Sequence, residues 1–158
     1  MNINSIWWEK YRPKNLDSLI LSEDIKKNLK HYEKVKDIPH LLFVSGPGTG
    51  KTSTAKIIVN DILKCDYLYI NASDENGIDT LRYKIVNFAQ TKSFDGNIKV
   101  VILDEADSLT PECSRGLRNV MEEYSDNTRF ILTANYKHKI ILPIISRCET
   151  INFEHSIK

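Results

Sequence analysis

The stretch "VSGPGTGKTS" (residues 44–53) decides how the rest of the chain is read. It is preceded by the short apolar run "HLLFV" (40–44), suited to a buried strand, and followed by helix-forming residues over 52–63. A glycine-rich loop between a strand and a helix aims backbone N–H groups at one point, and the helix N-terminus adds partial positive charge there. In such a loop Lys51 would reach the β- and γ-phosphates of a nucleotide, and the Thr52 hydroxyl would sit on Mg²⁺. Gly46, Pro47, Gly48, Thr49, Gly50 and Ser53 complete the set. The usual pattern is G-x-x-x-x-G-K-[ST], but five positions before Gly50 stands Ser45. Either Ser45 tolerates the required backbone shape, or Gly46 beside it supplies the freedom. A plain Gly-Pro turn is the alternative; the intact G-T-G-K-T core between strand and helix outweighs it.

Working outward, residues 22–36 read as a helix, with Ile25, Leu29, Tyr32 and Val35 at helical spacing and Ser22 as cap. Further strands are expected at 67–72, from 99, at 129–135 and at 148–153, with a helix over 78–90. Another helix begins at Thr110-Pro111-Glu112, where a Thr cap, Pro at the first helical position and an acid in the first turn coincide. Strands alternate with helices and are continuous apolar runs. That pattern implies a parallel sheet covered on both faces, a three-layer α/β/α sandwich around five parallel strands. Ligands in such sheets bind beyond the carboxyl ends of the strands.

The other candidate residues fall at those ends. "VVILDEAD" (100–107) sets Asp104 and Glu105 at the tip of the most apolar strand, 53 residues after Lys51. Asp104 could hold Mg²⁺ through water, and Glu105 could orient and deprotonate an attacking water. Asp107 reads as a cap or surface residue. "FILTAN" (130–135) ends in Asn135, whose amide would contact the γ-phosphate or the water if its strand adjoins that of Asp104. Arg147 precedes the last strand; it is either a surface arginine or a finger that completes a neighbouring subunit's site, worth about 10³–10⁵ in rate.

Composition sets the limits. Of 158 residues, 41% are hydrophobic and 27% charged, as in a globular domain, and the 22 Lys/Arg against 21 Asp/Glu leave a net charge of +1. That balance does not advertise nucleic-acid binding, and the lysines at 26, 27, 30, 34 and 36 read as a solvated helix face. No apolar run suits a membrane span, and the N-terminus has no secretory apolar core. Cys65, Cys113 and Cys148 form neither a disulfide framework nor a zinc pattern, which fits a reducing cytosol.

The ordered set "WEKYRP" (8–13), "GPGTGKT" (46–52), "NASDENGID" (71–79), "LDEADSLT" (103–110), "LTAN" (132–135) and "SRC" (146–148) resembles the AAA+ ATPase domain of sliding-clamp-loader small subunits, those of replication factor C-like loaders. Leu21-Ser22 and "SFDGNIKVVILDE" (93–105) lean towards the T4-type phage branch. The resemblance implies one nucleotide-binding domain over 1–158, with 1–20 as an adenine-side segment and 21–158 as core. It implies ATP and Mg²⁺, with Tyr11, Arg12 and Pro13 beside the adenine, Glu105 as catalytic base, Asn135 as sensor and Arg147 as trans finger. It further implies a pentameric loader of like or unlike subunits, a sliding clamp and the backbone of primer–template DNA as partners, with Arg82, Thr110 and Arg118 in the DNA-tracking segments. No membrane is implied; the place of action would be the cytoplasm, a phage host's cytoplasm or a nucleus. Ser114 and Asn119 depart from the family's usual Gln and Arg, which weakens any relay between DNA and active site. The helical lid and collar of such loaders are expected to be absent from this stretch of chain, which reads as a fragment or as a short frame needing a partner chain. Other expectations kept open are a different AAA+ DNA motor, such as one migrating Holliday junctions, and a non-hydrolysing assembly subunit; a P-loop small-molecule kinase fits least.

Overall fold

A computed structural model describes residues 23–74, 77–91, 93 and 96–153. The adenine-side expectation for Tyr11, Arg12 and Pro13 lies outside them. Five strands, β1 (Leu41–Val44), β2 (Tyr67–Asn71), β3 (Lys99–Asp104), β4 (Thr128–Ala134) and β5 (Glu149–Asn152), form one sheet in the order β2-β3-β4-β1-β5. Every pairing is parallel. The helices are α1 (Glu23–Val35), α2 (Lys51–Ile57), α3 (Ile78–Gln90), α4 (Pro111–Glu123) and the short α5 (Leu142–Arg147).

Alternation along each strand builds two cores. Leu41, Phe43, Val100, Ile102 and Ile131 pack with Ile25 and Leu29 of α1 and with Ala55 and Ile57 of α2. Leu42, Val44, Val101, Leu103, Phe130 and Leu132 face the other way, against Leu81 and Ile85 of α3, Leu117 and Val120 of α4 and Ile144 of α5. The inner strands β1, β3 and β4 are covered on both faces and carry no polar stripe, whereas the edge strands β2 and β5 are partly exposed. The three-layer sandwich expected from the pattern is present.

Two elements differ from expectation. The helix read over 52–63 is α-helical only to Ile57; Ile58–Ile62 continues as a π-turn, with Leu63 N donating to Ile58 O at 2.8 Å. The segment before the last strand folds as α5, with Pro143 in its first turn. α3 ends over Lys99, buried in the first position of β3. Its ammonium donates to Phe88 O at 2.7 Å and to Thr91 O, satisfying carbonyls that a helix C-terminus leaves open. Thr110 caps α4, its hydroxyl accepting from Cys113 N at 3.2 Å.

Candidate functional site

The strand order places β4 between β1 and β3. The glycine-rich loop leaves the carboxyl end of β1, the acidic pair that of β3, and Asn135 that of β4, so the three tips adjoin. In the loop, positive φ belongs to Gly48 (77°) and Gly50 (90°); neither Ser45 nor Gly46 adopts it. The open question at Ser45 is thereby answered: that position makes no glycine-only demand. Ser45 is buried, its amide donates to Ala134 O at 3.2 Å and its hydroxyl bonds with that of Thr49. Gly50 does need its freedom, since it turns the chain into α2 while its carbonyl accepts from Thr54 N at 2.9 Å.

Lys51 opens α2 and is buried, with 8% of its surface exposed. Its ammonium donates to Ser45 O at 2.7 Å, Gly46 O at 2.8 Å and Asn135 Oδ1 at 3.1 Å. The last contact spans 84 residues and joins loop to β4 tip. Asn135 is held in turn, because Asp107 Oδ2 accepts from the backbone N–H of Asn135 (3.0 Å) and Tyr136 (3.1 Å). Asp107 thus caps a turn, as its sequence reading had it. Pro47 and Gly48 are exposed, and Thr49 Oγ1 donates to Gly46 O at 3.0 Å.

The second half of the site is oxygen-rich. Thr52 Oγ1 donates to Asp104 Oδ1 at 2.9 Å, and Ser53 is half-buried beside it in the chain. Asp104 Oδ1 also accepts from the buried Thr133 hydroxyl, and Oδ2 accepts from Tyr69 OH at 2.7 Å. Burial, followed by this bond and by the charges of Asp104, Glu105 and Asp74, pushes the Tyr69 phenol up, so it stays a donor. Glu105 is exposed at φ 56°, ψ 46°, a left-handed conformation that breaks the strand one residue after Asp104. A hydroxyl and a carboxylate meeting at one point are hard oxygen donors of the kind Mg²⁺ takes together with phosphate oxygens and water. Among the described residues no cluster of three or more His, Cys, Asp or Glu side chains could hold a metal alone. The donor set therefore fits a Mg²⁺ ion shared with a substrate's phosphates. Tyr69 and Thr133 escaped the sequence reading; the apolar alternation places both on the α2 face, but only the register shows that they meet Asp104.

Arg147 is not at this site. β5 pairs with β1 through Leu41↔Glu149, so Arg147 lies at the foot of the sheet, while Lys51 lies past its crown. Its guanidinium is paired with Glu122 of α4 and donates to Pro143 O at 2.7 Å. The DNA candidates are also dispersed. Arg82 is exposed on α3 and pairs with Glu123 at 3.6 Å, at the far end of α4 from the Thr110 cap, about 20 Å along the helix. Arg118 is partly buried and reaches Asn119 Oδ1 at 3.3 Å. Cys65, Cys113 and Cys148 are free thiols, and among the described residues no helix is long and apolar enough to cross a membrane.

A parallel sheet ordered 2-3-4-1-5, with a glycine loop off its central region and an acidic strand tip one strand removed, defines the nucleoside-triphosphatase class of phosphate-loop proteins. The family model "ATPase family associated with various cellular activities (AAA)" matches residues 41–155, and the chain belongs to that family. It is 47% identical over 152 residues to the replication factor C small subunit of Methanococcus vannielii, covering 93% of this chain and 48% of that protein. It is 49% identical over 154 residues to that of Saccharolobus solfataricus, covering 94% and 46%. The chain thus spans about half the length of the curated relatives it matches. In fold it is similar to the Thermotoga maritima RuvB Holliday junction branch migration motor, with a TM-score of 0.67 at 23% identity over 89% of this chain and 47% of the other. A K64R mutant of the same protein gives 0.71 at 20% identity, over 90% and 48%. At that identity the likeness concerns the fold alone.

Proposed function

We propose that this chain is the ATP-binding and hydrolysing motor domain of a sliding-clamp-loader small subunit. The observation that carries the reading is the pair of bonds joining three strand tips: Lys51 to Asn135, and Thr52 to Asp104. The relatives' name, replication factor C small subunit, supports assigning the activity to clamp loading rather than to another AAA machine.

In this reading the loop over Gly46–Ser53 wraps the phosphates, and Lys51 exchanges its carbonyl partners for phosphate oxygens. Mg²⁺, when bound, supplies charge neutralisation at the phosphates. Thr52 and Asp104 would hold that ion. Glu105, exposed at the strand tip, takes the proton of the attacking water, and Asn135 orients the water or the γ-phosphate. Arg147 serves the site of an adjoining subunit. Arg82, Thr110 and Arg118 track DNA phosphates without reading bases. Tyr11, Arg12 and Pro13 flank the adenine. The partners are a clamp, primer–template DNA and the other subunits of a pentamer, inside a cell or nucleus. The presence of Glu105 and Asn135 at adjoining tips favours hydrolysis over a purely structural nucleotide site. The lean to a phage branch rests on residues 21–22 and 93–105 only.

The test is ATP turnover by the full-length protein in its assembly, with and without primed DNA and a cognate clamp. Stimulation by both is expected. Lys51→Ala should abolish nucleotide binding, whereas Glu105→Gln should bind normally and not turn over. Equal loss of binding in the two variants would overturn the roles assigned, and turnover indifferent to clamp would overturn the loader assignment.

A further inference from the structure

The geometry points to Thr133 as a positioning residue that couples the metal-side carboxylate to the catalytic base; this rests on the roles proposed above for Asp104 and Glu105. Thr133 is the penultimate residue of β4 and is 1% exposed. Its single hydroxyl does two things at once. It donates to Asp104 Oδ1 and accepts the backbone N–H of Glu105 at 3.0 Å. Asp104, the last residue of β3, and Glu105, which follows it, are therefore both tied to one oxygen on the next strand.

The second of these bonds falls where the backbone is least comfortable. Glu105 is one of three non-glycine residues at positive φ among those described, and left-handed geometry is disfavoured for a residue bearing a Cβ. A regular strand would send the 104 and 105 side chains to opposite faces. The left-handed turn ends that alternation, and the Thr133 oxygen holds the amide that begins it. The first bond fixes which way the Asp104 carboxylate faces Thr52, with Tyr69 OH closing the other oxygen at 2.7 Å. A shift of β4 relative to β3 therefore moves the metal-holding oxygen and the base together. Neither task requires Thr133 to touch substrate, so its loss should show as misplacement and not as lost nucleotide contact.

Thr133→Val keeps the shape and β-propensity of the side chain and removes the hydroxyl. In the full-length assembly this variant should bind ATP within about threefold of the parent and turn it over about tenfold more slowly, the expected effect of one positioning hydrogen bond. Thr133→Ser should restore turnover. Amide hydrogen exchange supplies a readout independent of activity. The Glu105 N–H should exchange about tenfold faster in Thr133→Val relative to that of Leu103 within β3, and at the parental rate in Thr133→Ser. Parental turnover with unchanged Glu105 exchange in Thr133→Val would overturn the inference. So would an unprotected Glu105 amide in the parent, a measurement that stands even if the valine variant does not fold. A parent that binds no nucleotide, with Glu105 protected as described, would instead overturn the functional reading.

Discussion

At the scale of single residues, burial makes one polar group of this domain pH-sensitive. His40 immediately precedes β1; its Nδ1 accepts the N–H of Phe130 at 3.1 Å, and its ring meets Phe130 edge-on at 5.6 Å. Burial, then the positive charges of Arg129 and Arg147, pulls its pKa down to about 4. The folded state therefore holds His40 neutral while the unfolded chain binds a proton below about 6.5. Between those values the unfolded state binds more protons, so stability falls as pH drops from about 6.5 towards 4 and is fully present above that window. Thermal melts at pH 7.5 and pH 5 should show a larger drop for the parent than for His40→Gln, whose side chain does not titrate. An equal drop in both would remove His40 as the cause.

At the scale of elements, the sheet and its helices were legible in the sequence because burial imposes periods. The helix read over 78–90 is the range observed for α3, which buries Leu81, Ile85 and Ala89, and Thr110-Pro111 marked the start of α4. The π-turn at Ile58–Ile62 was not legible, since Ile57, Ile58 and Ile62 satisfy an α-helical pattern as well. α5 was hidden by its length, six residues being too few for a period to show. The candidate site was half legible. Motif spacing marked Lys51, Thr52, Asp104, Glu105 and Asn135, but Thr133 and Tyr69 depend on cross-strand register, which no local spacing encodes. The α3–α4 contact was also unread. It depends on Gly116, where an added Cβ would lie 1.8 Å from Ile78 Cδ1 and 2.6 Å from Cγ1. Alanine is favoured over glycine inside a helix by about 1 kcal/mol, but overpacking costs about 1–3 kcal/mol. Gly116→Ala should therefore lower the unfolding free energy by about 1 kcal/mol in denaturant titrations. In an Ile78→Ala background the same substitution should raise it. A gain in the parent background would mean that Ile78 rotates away at no cost.

At the scale of the whole molecule, the layout sets the phosphate-loop lysine and the arginine proposed as a finger at opposite ends of the sheet. Lys51 and Asp104 crown the sheet, and Arg147 stands at its foot beside Glu122, with at least the length of β1, about 13 Å, between them. In an assembly of full-length chains, Arg147→Ala should lower turnover by 10³ or more without weakening nucleotide binding, if the finger acts across a junction. Mixing Arg147→Ala subunits with Lys51→Ala subunits should recover part of the activity, because each then lends what the other lacks. No recovery in the mixture, despite proven co-assembly, would count against that role.

If Arg147 serves a neighbouring site, the same separation bears on how copies of this domain would join. A pair related by a dyad presents one self-matching patch on each partner, so crown and foot would both have to lie within that patch, whereas a head-to-tail contact uses each end once. Head-to-tail contacts, each foot on the next crown, would bring every guanidinium to a neighbouring site, and any open row built so would leave one terminal crown without a guanidinium. The number of competent sites would then be set by whether the row closes, a count that calorimetry of nucleotide uptake against burst-phase hydrolysis would read directly.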